Sequence, residues 1–433
     1  MISLPRLLLF SLLIALFAIG CTVQPGNSNA PVTTASPTAS PTASATPSSS
    51  PAATEGSMQI TLPLLNALLA DEAFVREAKS KVKLSDEQID SLKQASQTAI
   101  DRLRAANAED TDTDATDAPE RDAEQLRSLI GQDKATQLTA VANDYWTNGA
   151  PGEGGSNTGE LKMLPGPNAV PTDTRVVVNI PAFRMDLFKD GSLVKTYKIG
   201  IGYPEFPLPL GLRKAQTVIF NPPWTPPDSP WVAKMKNATP GETIEPGSKD
   251  NPLGPIKIPI GLPSLIHGGK SPAKIGHFAS HGCVGLTTAQ IKDFAALLMD
   301  ASGNQVSPDQ IAQYLEDKTK TKSVKLDKVI PVELRYETIV LEDGKLHIYK
   351  DVYAQHTNTE ENLRRVLEAQ GVRLEDLPEQ QRQQALAALK TPPPKGEVVI
   401  DVPQLAQKGY PVAVNLDDGK GKPQATRSKK KAA

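Results

Sequence analysis

The chain has 433 residues, with 47 basic and 49 acidic side chains and a formal net charge of −2. This length exceeds one small domain and predicts two or three structured units joined by linkers. The balanced charge, without a basic stripe between aromatic residues, argues against nucleic acid as a partner.

The first 21 residues are typical of an export signal. Arg6 precedes an apolar run over residues 7–19, which is short for a membrane span but matches the core of a signal peptide. The run leads into Ala18-Ile19-Gly20-Cys21, which resembles the lipobox of bacterial lipoproteins. We expect residues 1–21 to be a lipoprotein signal peptide lipidated at Cys21. The protein would then be anchored at the cell membrane or outer membrane, facing the periplasm or cell wall. Ordinary secretion is the alternative.

Two linkers and a helical region follow the signal. Residues 22–57 are mostly Ser, Thr, Pro and Ala, and they predict a disordered linker because they bury too little apolar surface to fold. Residues 58–147 predict a helical region of unknown role, with one helix over 85–100 and another over 123–145. Residues 148–173 are rich in glycine and proline and predict a second linker.

A mainly β domain is predicted over residues 174–354. Asp190-Gly191 and Asp343-Gly344 are hairpin signals between β-branched or alternating runs. One helix is predicted over 288–300, where Ile291, Phe294, Ala295 and Leu298 share a face. The strand candidates are residues 176–178, 184–188, 193–199, 217–220, 256–258, 264–266, 329–336 and 338–349.

Residues 355–433 predict a helical extension, a short strand and a basic tail. The helices are expected at 359–370, ending at a glycine, and at 377–390, ending before three prolines. The strand is expected at 398–402, and the basic cluster 427–431 is typical of a solvated tail. The predicted fold class is therefore a mainly β domain flanked by α-helical N-terminal and C-terminal segments.

Four reactive side chains fall close together in a chain that has five histidines and two cysteines. They are His267, His277, His281 and Cys283. A zinc site is one interpretation, but structural zinc sites use closely spaced ligand pairs with more than one cysteine. A buried structural cysteine is a second interpretation. However, Gly282 and Gly285 lie on the two sides of the thiol. Packing of a buried cysteine does not require the conformational freedom that glycine provides there.

Nucleophilic catalysis is the third interpretation, and it is the one that we favour. A free thiol has a pKa near 8.5 and is mostly unreactive at neutral pH. A histidine within hydrogen-bond reach can accept its proton and later return it to the leaving group. Backbone N–H groups around Gly282 and Cys283 can face a developing oxyanion, where one donor contributes about 3–4 kcal/mol in known cases.

The cysteine lies in a motif with several landmarks upstream. Ile266-His267-Gly268-Gly269 precedes Ser280-His281-Gly282-Cys283-Val284. The further landmarks are residues 179–184, 198–202, 221–225 and 251–255. This pattern resembles the YkuD-type catalytic domain of L,D-transpeptidases. The resemblance implies a YkuD-like β-sandwich with one packed helix over residues 174–354.

The resemblance also implies roles for the central residues. Cys283 would be the nucleophile and His267 its general base. The backbone carbonyl of Gly268 would orient the imidazole, as a main-chain substitute for the acid of a triad. Without the resemblance, the sequence leaves open whether His267 or His281 contacts the sulfur.

The remaining motif residues have supporting roles by the same resemblance. Ser280 and His281 would line and shape the site, and Gly282 with Cys283 would supply the oxyanion N–H groups. His277 matches no catalytic position of the motif, so we expect a surface or packing role. The family usually has Arg or Asn two residues after the cysteine, where this chain has Gly285. Because the nucleophile and base are intact, activity remains the expectation.

The chemistry implied by the resemblance is acyl transfer on peptidoglycan stem peptides. The cysteine forms a thioester with a tetrapeptide stem, and an amine on a neighbouring stem resolves it into a 3→3 cross-link. Water as the acceptor would give an L,D-carboxypeptidase, and a non-catalytic peptidoglycan-binding lipoprotein is a further alternative. No metal or organic cofactor is implied, and carbapenem-type β-lactams are the expected inhibitors.

Overall fold

The computed structural model describes residues 60–106, 118–148, 161–227, 232, 235–261, 264–391, 396–406 and 408–421. The predicted signal peptide with Cys21, the linker 22–57 and the basic cluster 427–431 lie outside the described residues. Of the linker 148–173, the structure describes residue 148 and residues 161–173. Among the described residues, no helix is both long enough and apolar enough to cross a membrane.

The N-terminal region is helical, as predicted. Its helices are α1 (Leu62–Leu69), α2 (Glu72–Val82), α3 (Asp86–Ala106), α4 (Ala118–Ile130) and α5 (Gln132–Asn148). The helical run predicted over 123–145 is confirmed but is divided into α4 and α5, because the chain breaks at Gly131. Gly131 has a φ of +85° and donates its N–H to the carbonyl of Arg127, which ends α4. Its own carbonyl accepts from the N–H of Ala135 and begins α5.

The mainly β domain is confirmed, and most of its strands form one eight-stranded sheet in the order β3-β2-β1-β10-β5-β6-β7-β9. Those strands are β1 (Arg175–Asn179), β2 (Arg184–Lys189), β3 (Ser192–Lys198), β5 (Gly211–Phe220), β6 (Ile256–Pro259), β7 (Leu265–Lys270), β9 (Val284–Thr287) and β10 (Lys322–Arg335). The short strands β4 (Ile201–Gly202) and β8 (Phe278–Ser280) pair in parallel beside it.

Helix α6 (Thr288–Ser302) follows β9 directly and packs on the sheet. The four apolar residues predicted to share a face, Ile291, Phe294, Ala295 and Leu298, are fully buried. Thr287 and Gln290 form a capping box that begins the helix. A second helix, α7 (Pro308–Glu316), was not predicted, although Ser307 and Gln310 form the same kind of cap.

The C-terminal region has its own small sheet and core. Strands β11 (Ile339–Glu342), β12 (Lys345–Tyr349) and β13 (Glu397–Asp401) form a three-stranded antiparallel sheet. Helices α8 (Glu360–Glu368) and α9 (Glu379–Lys390) pack on it and share its buried core. The domain boundary predicted at residue 354 divides this sheet, because β11 and β12 pair with β13 rather than with the eight-stranded sheet.

The last described segment runs along β3, the first strand of the eight-stranded sheet. The N–H of Thr196 donates to the carbonyl of Val414 and the N–H of Asp417 donates to the carbonyl of Thr196, both at 2.9 Å. The N–H of Lys198 donates to the carbonyl of Asp417 at the same distance. We call residues 410–421 the C-terminal strap, since they occupy the free edge of β3.

Candidate active site

The parallel strands β7 and β9 bring the predicted nucleophile and base together. His267 on β7 is the register partner of Gly285 on β9, and Cys283 immediately precedes β9. Side chains two residues apart share a face of a sheet, so Cys283 lies on the face of Gly285 and His267. The main chain of Leu265 hydrogen bonds to the sulfur of Cys283, which places the sulfur beside β7, two residues before His267.

The imidazole of His267 is fixed by the residue that follows it. His267 is buried, and its Nδ1 lies 2.7 Å from the carbonyl oxygen of Gly268. Because a carbonyl oxygen only accepts, Nδ1 carries the hydrogen, which leaves Nε2 to accept a proton. A Cβ at Gly268 would lie 2.6 Å from Cγ2 of Ile291 on α6. The absence of a side chain at Gly268 therefore lets this strand approach the helix.

The Ser280 hydroxyl closes the turn that presents the cysteine. It accepts a hydrogen bond from the N–H of Cys283 at 3.1 Å and donates to the carbonyl of Cys283 at 2.5 Å. Gly282 has a φ of +91°, and its carbonyl accepts from the hydroxyl of Ser264 at 2.7 Å. Ser264 is buried at the start of β7 and was not singled out from the sequence. Its position two residues before the Ile266-His267 motif is the only signal that could have indicated it.

The oxyanion role predicted for Gly282 and Cys283 stays a prediction. The N–H of Cys283 is directed at Ser280 Oγ, so in this state it holds the turn together. A Cβ at Gly202 would lie 3.1 Å from the N of Gly282, so the chain at Gly202 closely approaches that amide. To donate to an oxyanion, the N–H of Cys283 would have to divide its hydrogen bond between the oxyanion and Ser280 Oγ, or release Ser280.

The two other histidines of the cluster lie in different surroundings. The ring of His281 packs against the rings of Tyr203 and Phe206, with centroids 5.4 and 4.9 Å away. His281 therefore faces residues 203–210, which are buried throughout. His277 is exposed, and its carbonyl accepts from the N–H of Ile201 at 3.2 Å.

The titration of both central residues favours their neutral forms. Burial lowers the pKa of His267 from 6.5 to about 3, the charge of Lys270 lowers it further, and the carbonyls of Gly268 and Leu253 oppose the change. Burial raises the pKa of the Cys283 thiol, against the main chain of Leu265 and the charge of Lys270. Both shifts favour a neutral thiol at Cys283 and a neutral imidazole at His267.

Residues 203–210, which we call the wall segment, connect the site to the N-terminal helices. A Cβ at Gly282 would lie 3.7 Å from the carbonyl oxygen of Pro207, so this segment borders the turn at residues 280–283, which we call the catalytic turn. The hydroxyl of Thr61, the N-cap of α1, donates to the carbonyl of Glu205 at 3.0 Å. Arg121 on α4 pairs with the Glu205 carboxylate at 3.3 Å.

The zinc interpretation can be compared with the positions of the possible ligands. Within the ranges that the structure describes, no three His, Cys, Asp or Glu side chains are arranged to hold a metal ion. Cys283 is a free cysteine and is half-buried. It immediately precedes β9, whose Gly285 is the register partner of His267, and the capped helix α6 follows β9.

Comparisons with known proteins give the following matches. Residues 173–324 match the YkuD family, described as the L,D-transpeptidase catalytic domain. Over 119 residues, the chain is 30% identical to the probable L,D-transpeptidase YbiS of Escherichia coli strain K12; the match covers 27% of this chain. The chain spans only 39% of the length of that relative.

Two solved structures are similar to part of the chain. The catalytic domain of an E. faecium L,D-transpeptidase is 19% identical, with a TM-score of 0.24, 38% of this chain covered and 98% of that chain. L,D-transpeptidase 3 from Mycobacterium tuberculosis, in complex with a faropenem-derived adduct, is 14% identical, with a TM-score of 0.22. That match covers 37% of this chain and 60% of the other.

Proposed function

We propose that this protein is a peptidoglycan L,D-transpeptidase with a cysteine nucleophile, because residues 173–324 match the YkuD family of L,D-transpeptidase catalytic domains. Its donor would be a tetrapeptide stem that ends in D-alanine, and its product a 3→3 cross-link. The observation that carries the proposal is the placement of Cys283 immediately before β9 and of His267 on the adjacent parallel strand β7, with Nδ1 of His267 held by the carbonyl of Gly268.

In the first step, the sulfur of Cys283 attacks the carbonyl carbon of the amide between stem residue three and the terminal D-alanine. The S–H proton passes to Nε2 of His267 as the C–S bond forms. The same proton is then given to the amide nitrogen, the C–N bond breaks, and D-alanine leaves as the free amino acid. The product of this half-reaction is a thioester on Cys283.

In the second step, the side-chain amine of a diaminopimelate residue on a neighbouring stem attacks the thioester carbonyl. His267 accepts a proton from the amine, the new C–N bond forms, the C–S bond breaks, and the proton returns to sulfur. Attack by water in place of the amine would release a tripeptide and make the protein an L,D-carboxypeptidase. The two activities share the nucleophile and differ only in the acceptor.

The neutral thiol and imidazole are compatible with this sequence of events. A His267 that is uncharged at neutral pH, as its lowered pKa requires, is ready to accept a proton. A buried imidazolium would be costly if it persisted, so the proton is expected to stay on His267 only briefly.

The test is the intact mass of the purified protein after incubation with a carbapenem, followed by peptide mapping. We expect one adduct, located on Cys283, and none in Cys283→Ala. Reaction with a tetrapeptide donor, with and without an amine acceptor, then separates the activities. Cross-linked dimer supports transfer, whereas tripeptide alone supports hydrolysis. Failure of Cys283→Ala to change either reaction would exclude catalysis and favour a peptidoglycan-binding lipoprotein.

We also propose that Cys21 carries the lipid that anchors the protein at the cell membrane or outer membrane. The support is the motif Ala18-Ile19-Gly20-Cys21 after the apolar run. Cys21→Ala would then abolish metabolic labelling of the protein with a fatty acid and release it from the membrane fraction. Labelling that survives this substitution would refute the anchor.

A further inference from the structure

Gly285 has no side chain, and the space above it is filled by Lys270. A Cβ built on Gly285 would lie 2.9 Å from both Cγ and Cε of Lys270. The backbone of Gly285 is in a region that any residue adopts, so the lysine stem, and not the backbone, is what a side chain would meet. The stem of Lys270 thus crosses from β7 over β9, on the face that carries the nucleophile.

The strand geometry explains how the lysine reaches this position. The ladder between β7 and β9 shifts register between His267 and Lys270, and Lys270 is opposite Thr287. Gly269, between them, has a φ of +81°. The strand therefore turns after the base and directs the next side chain back over Gly285. Lys270 is half-buried, so its charge is only partly screened by water.

The charge of Lys270 acts on both central residues. It lowers the pKa of the His267 imidazole together with burial, and it lowers the pKa of the Cys283 thiol against the effect of burial. A lysine ammonium is cationic at neutral pH. The charge of Lys270 therefore acts on the same two residues that the proposed reaction uses.

We propose that Lys270 is the anion-binding residue of the site and receives the terminal carboxylate of the donor peptide. This inference rests on the proposed function, because a donor that ends in free D-alanine carries a carboxylate one carbon away from the nitrogen of the scissile amide. When the carbonyl carbon is at the sulfur of Cys283, that carboxylate must lie within a few bonds of it. The ammonium beside Gly285 would bind this anion and position the amide.

The experiment compares a tetrapeptide donor with its C-terminal amide, which lacks the negative charge. The variants are Lys270→Met, which keeps the length of the stem, and Lys270→Arg, which keeps the charge. Lys292→Met is the matched control, since Lys292 is an exposed lysine on α6. We expect the wild-type protein and the control to prefer the carboxylate donor about tenfold or more in kcat/KM. Lys270→Met should lose the preference through KM, and Lys270→Arg should keep most of it.

A second measurement does not depend on peptidoglycan chemistry. Iodoacetate and iodoacetamide alkylate the same sulfur, but only iodoacetate is an anion. We expect the ratio of their rate constants at Cys283 to fall about tenfold in Lys270→Met, because the cation no longer attracts the anionic reagent. Gly285→Ala should lower the ratio as well, since its Cβ displaces the lysine stem. Thermal unfolding of each variant verifies that it is folded.

The outcomes separate the two proposals. If neither the wild-type protein nor any variant acts on the peptides, the proposed function fails. The alkylation ratio alone then decides whether Lys270 binds anions. If the wild type is active and Lys270→Met keeps the carboxylate preference, the inference is overturned. A lowered alkylation ratio with an unchanged carboxylate preference would overturn it too, because Lys270 would then attract anions near the sulfur without receiving the carboxylate of the donor.

Discussion

The hydroxyl of Ser280 holds the backbone of Cys283 at both ends, accepting from its N–H at 3.1 Å and donating to its carbonyl at 2.5 Å. One side chain thereby sets the conformation of the catalytic turn. The neighbouring Gly282 is held separately, by the hydroxyl of Ser264. The backbone at Gly282 and Cys283 is therefore held by two serines, Ser264 before β7 and Ser280 before β9.

Removing the Ser280 hydroxyl should weaken the turn. Ser280→Ala leaves two polar groups of Cys283 without this partner, which is expected to cost about 1–3 kcal/mol of unfolding free energy. We expect carbapenem acylation to slow by about tenfold. Ser271→Ala is the control, because Ser271 is exposed and makes no side-chain cap hydrogen bond. Equal stability and acylation rate in the two variants would contradict this role for Ser280.

The glycine after the base should tolerate no side chain. In Gly268→Ala the new methyl group would meet Cγ2 of Ile291 at 2.6 Å and Cδ of Pro255 at 3.3 Å. We expect a loss of about 1–3 kcal/mol from overpacking. Acylation of Cys283 should also slow, because the carbonyl that holds Nδ1 of His267 must move.

A double-mutant cycle with Ile291→Ala checks the cause of this loss. Ile291→Ala alone is expected to cost about 2–5 kcal/mol, because Ile291 is fully buried. If the clash with Ile291 is the reason, the double variant should be more stable than the sum of the two losses predicts, by about 1 kcal/mol or more. Chemical denaturation of the four proteins measures this coupling. Strict additivity would locate the damage elsewhere.

Stability should depend on pH through His267. Its pKa is about 3 in the folded state and 6.5 ordinarily, so between these values the unfolded chain binds more protons. The contribution of His267 is present above pH 6.5 and is lost as the pH falls toward 3, at about 1.4 kcal/mol per pH unit. The stability difference between wild type and His267→Gln, measured by denaturation from pH 7 to pH 4, isolates this slope. A difference that is constant with pH would show that the imidazole titrates normally.

The contact between α4 and the wall segment should support the site from a distance. Glu205 is buried, burial raises its pKa, and Arg121 opposes that change. Arg121→Ala would leave this carboxyl without its ion partner, with an expected loss of about 1–2 kcal/mol because Arg121 is partly exposed. Arg127→Ala, which removes an exposed pair with Glu124 on the same helix, should cost less than 0.5 kcal/mol. Comparable losses in the two variants would contradict the contact's importance.

Local patterns in the sequence were sufficient for the longer elements. The helix that begins at Thr288 and the hairpin at Asp190-Gly191 follow from apolar spacing and turn residues. Gly131 was read as part of a helix, because a single glycine inside a helical pattern does not reveal its φ. Helix α7 is not predicted, although Ser307 and Gln310 have the spacing of a capping box, because its single buried residue, Ile311, gives little apolar periodicity.

Other features depend on contacts between residues far apart in the sequence. Strands β8 and β9 are too short to show an alternating pattern, and β9 exists because β7 pairs with it. The pairing of β12 with β13 joins segments about fifty residues apart, which a domain boundary drawn along the chain cannot anticipate. The position of Lys270 over Gly285 depends on a register shift between β7 and β9 that cannot be predicted from the residue types alone.

The C-terminal strap has a consequence for the protein in solution. An unpaired strand at the margin of a sheet is a template for pairing with another molecule. The C-terminal strap hydrogen bonds to the backbone of Thr196 and Lys198, so these groups of β3 cannot pair with a strand of another molecule. A shortened chain that ends before residue 410 would expose it, and self-association through β3 would follow. The C-terminal strap thus protects the eight-stranded sheet against pairing with a second copy at β3.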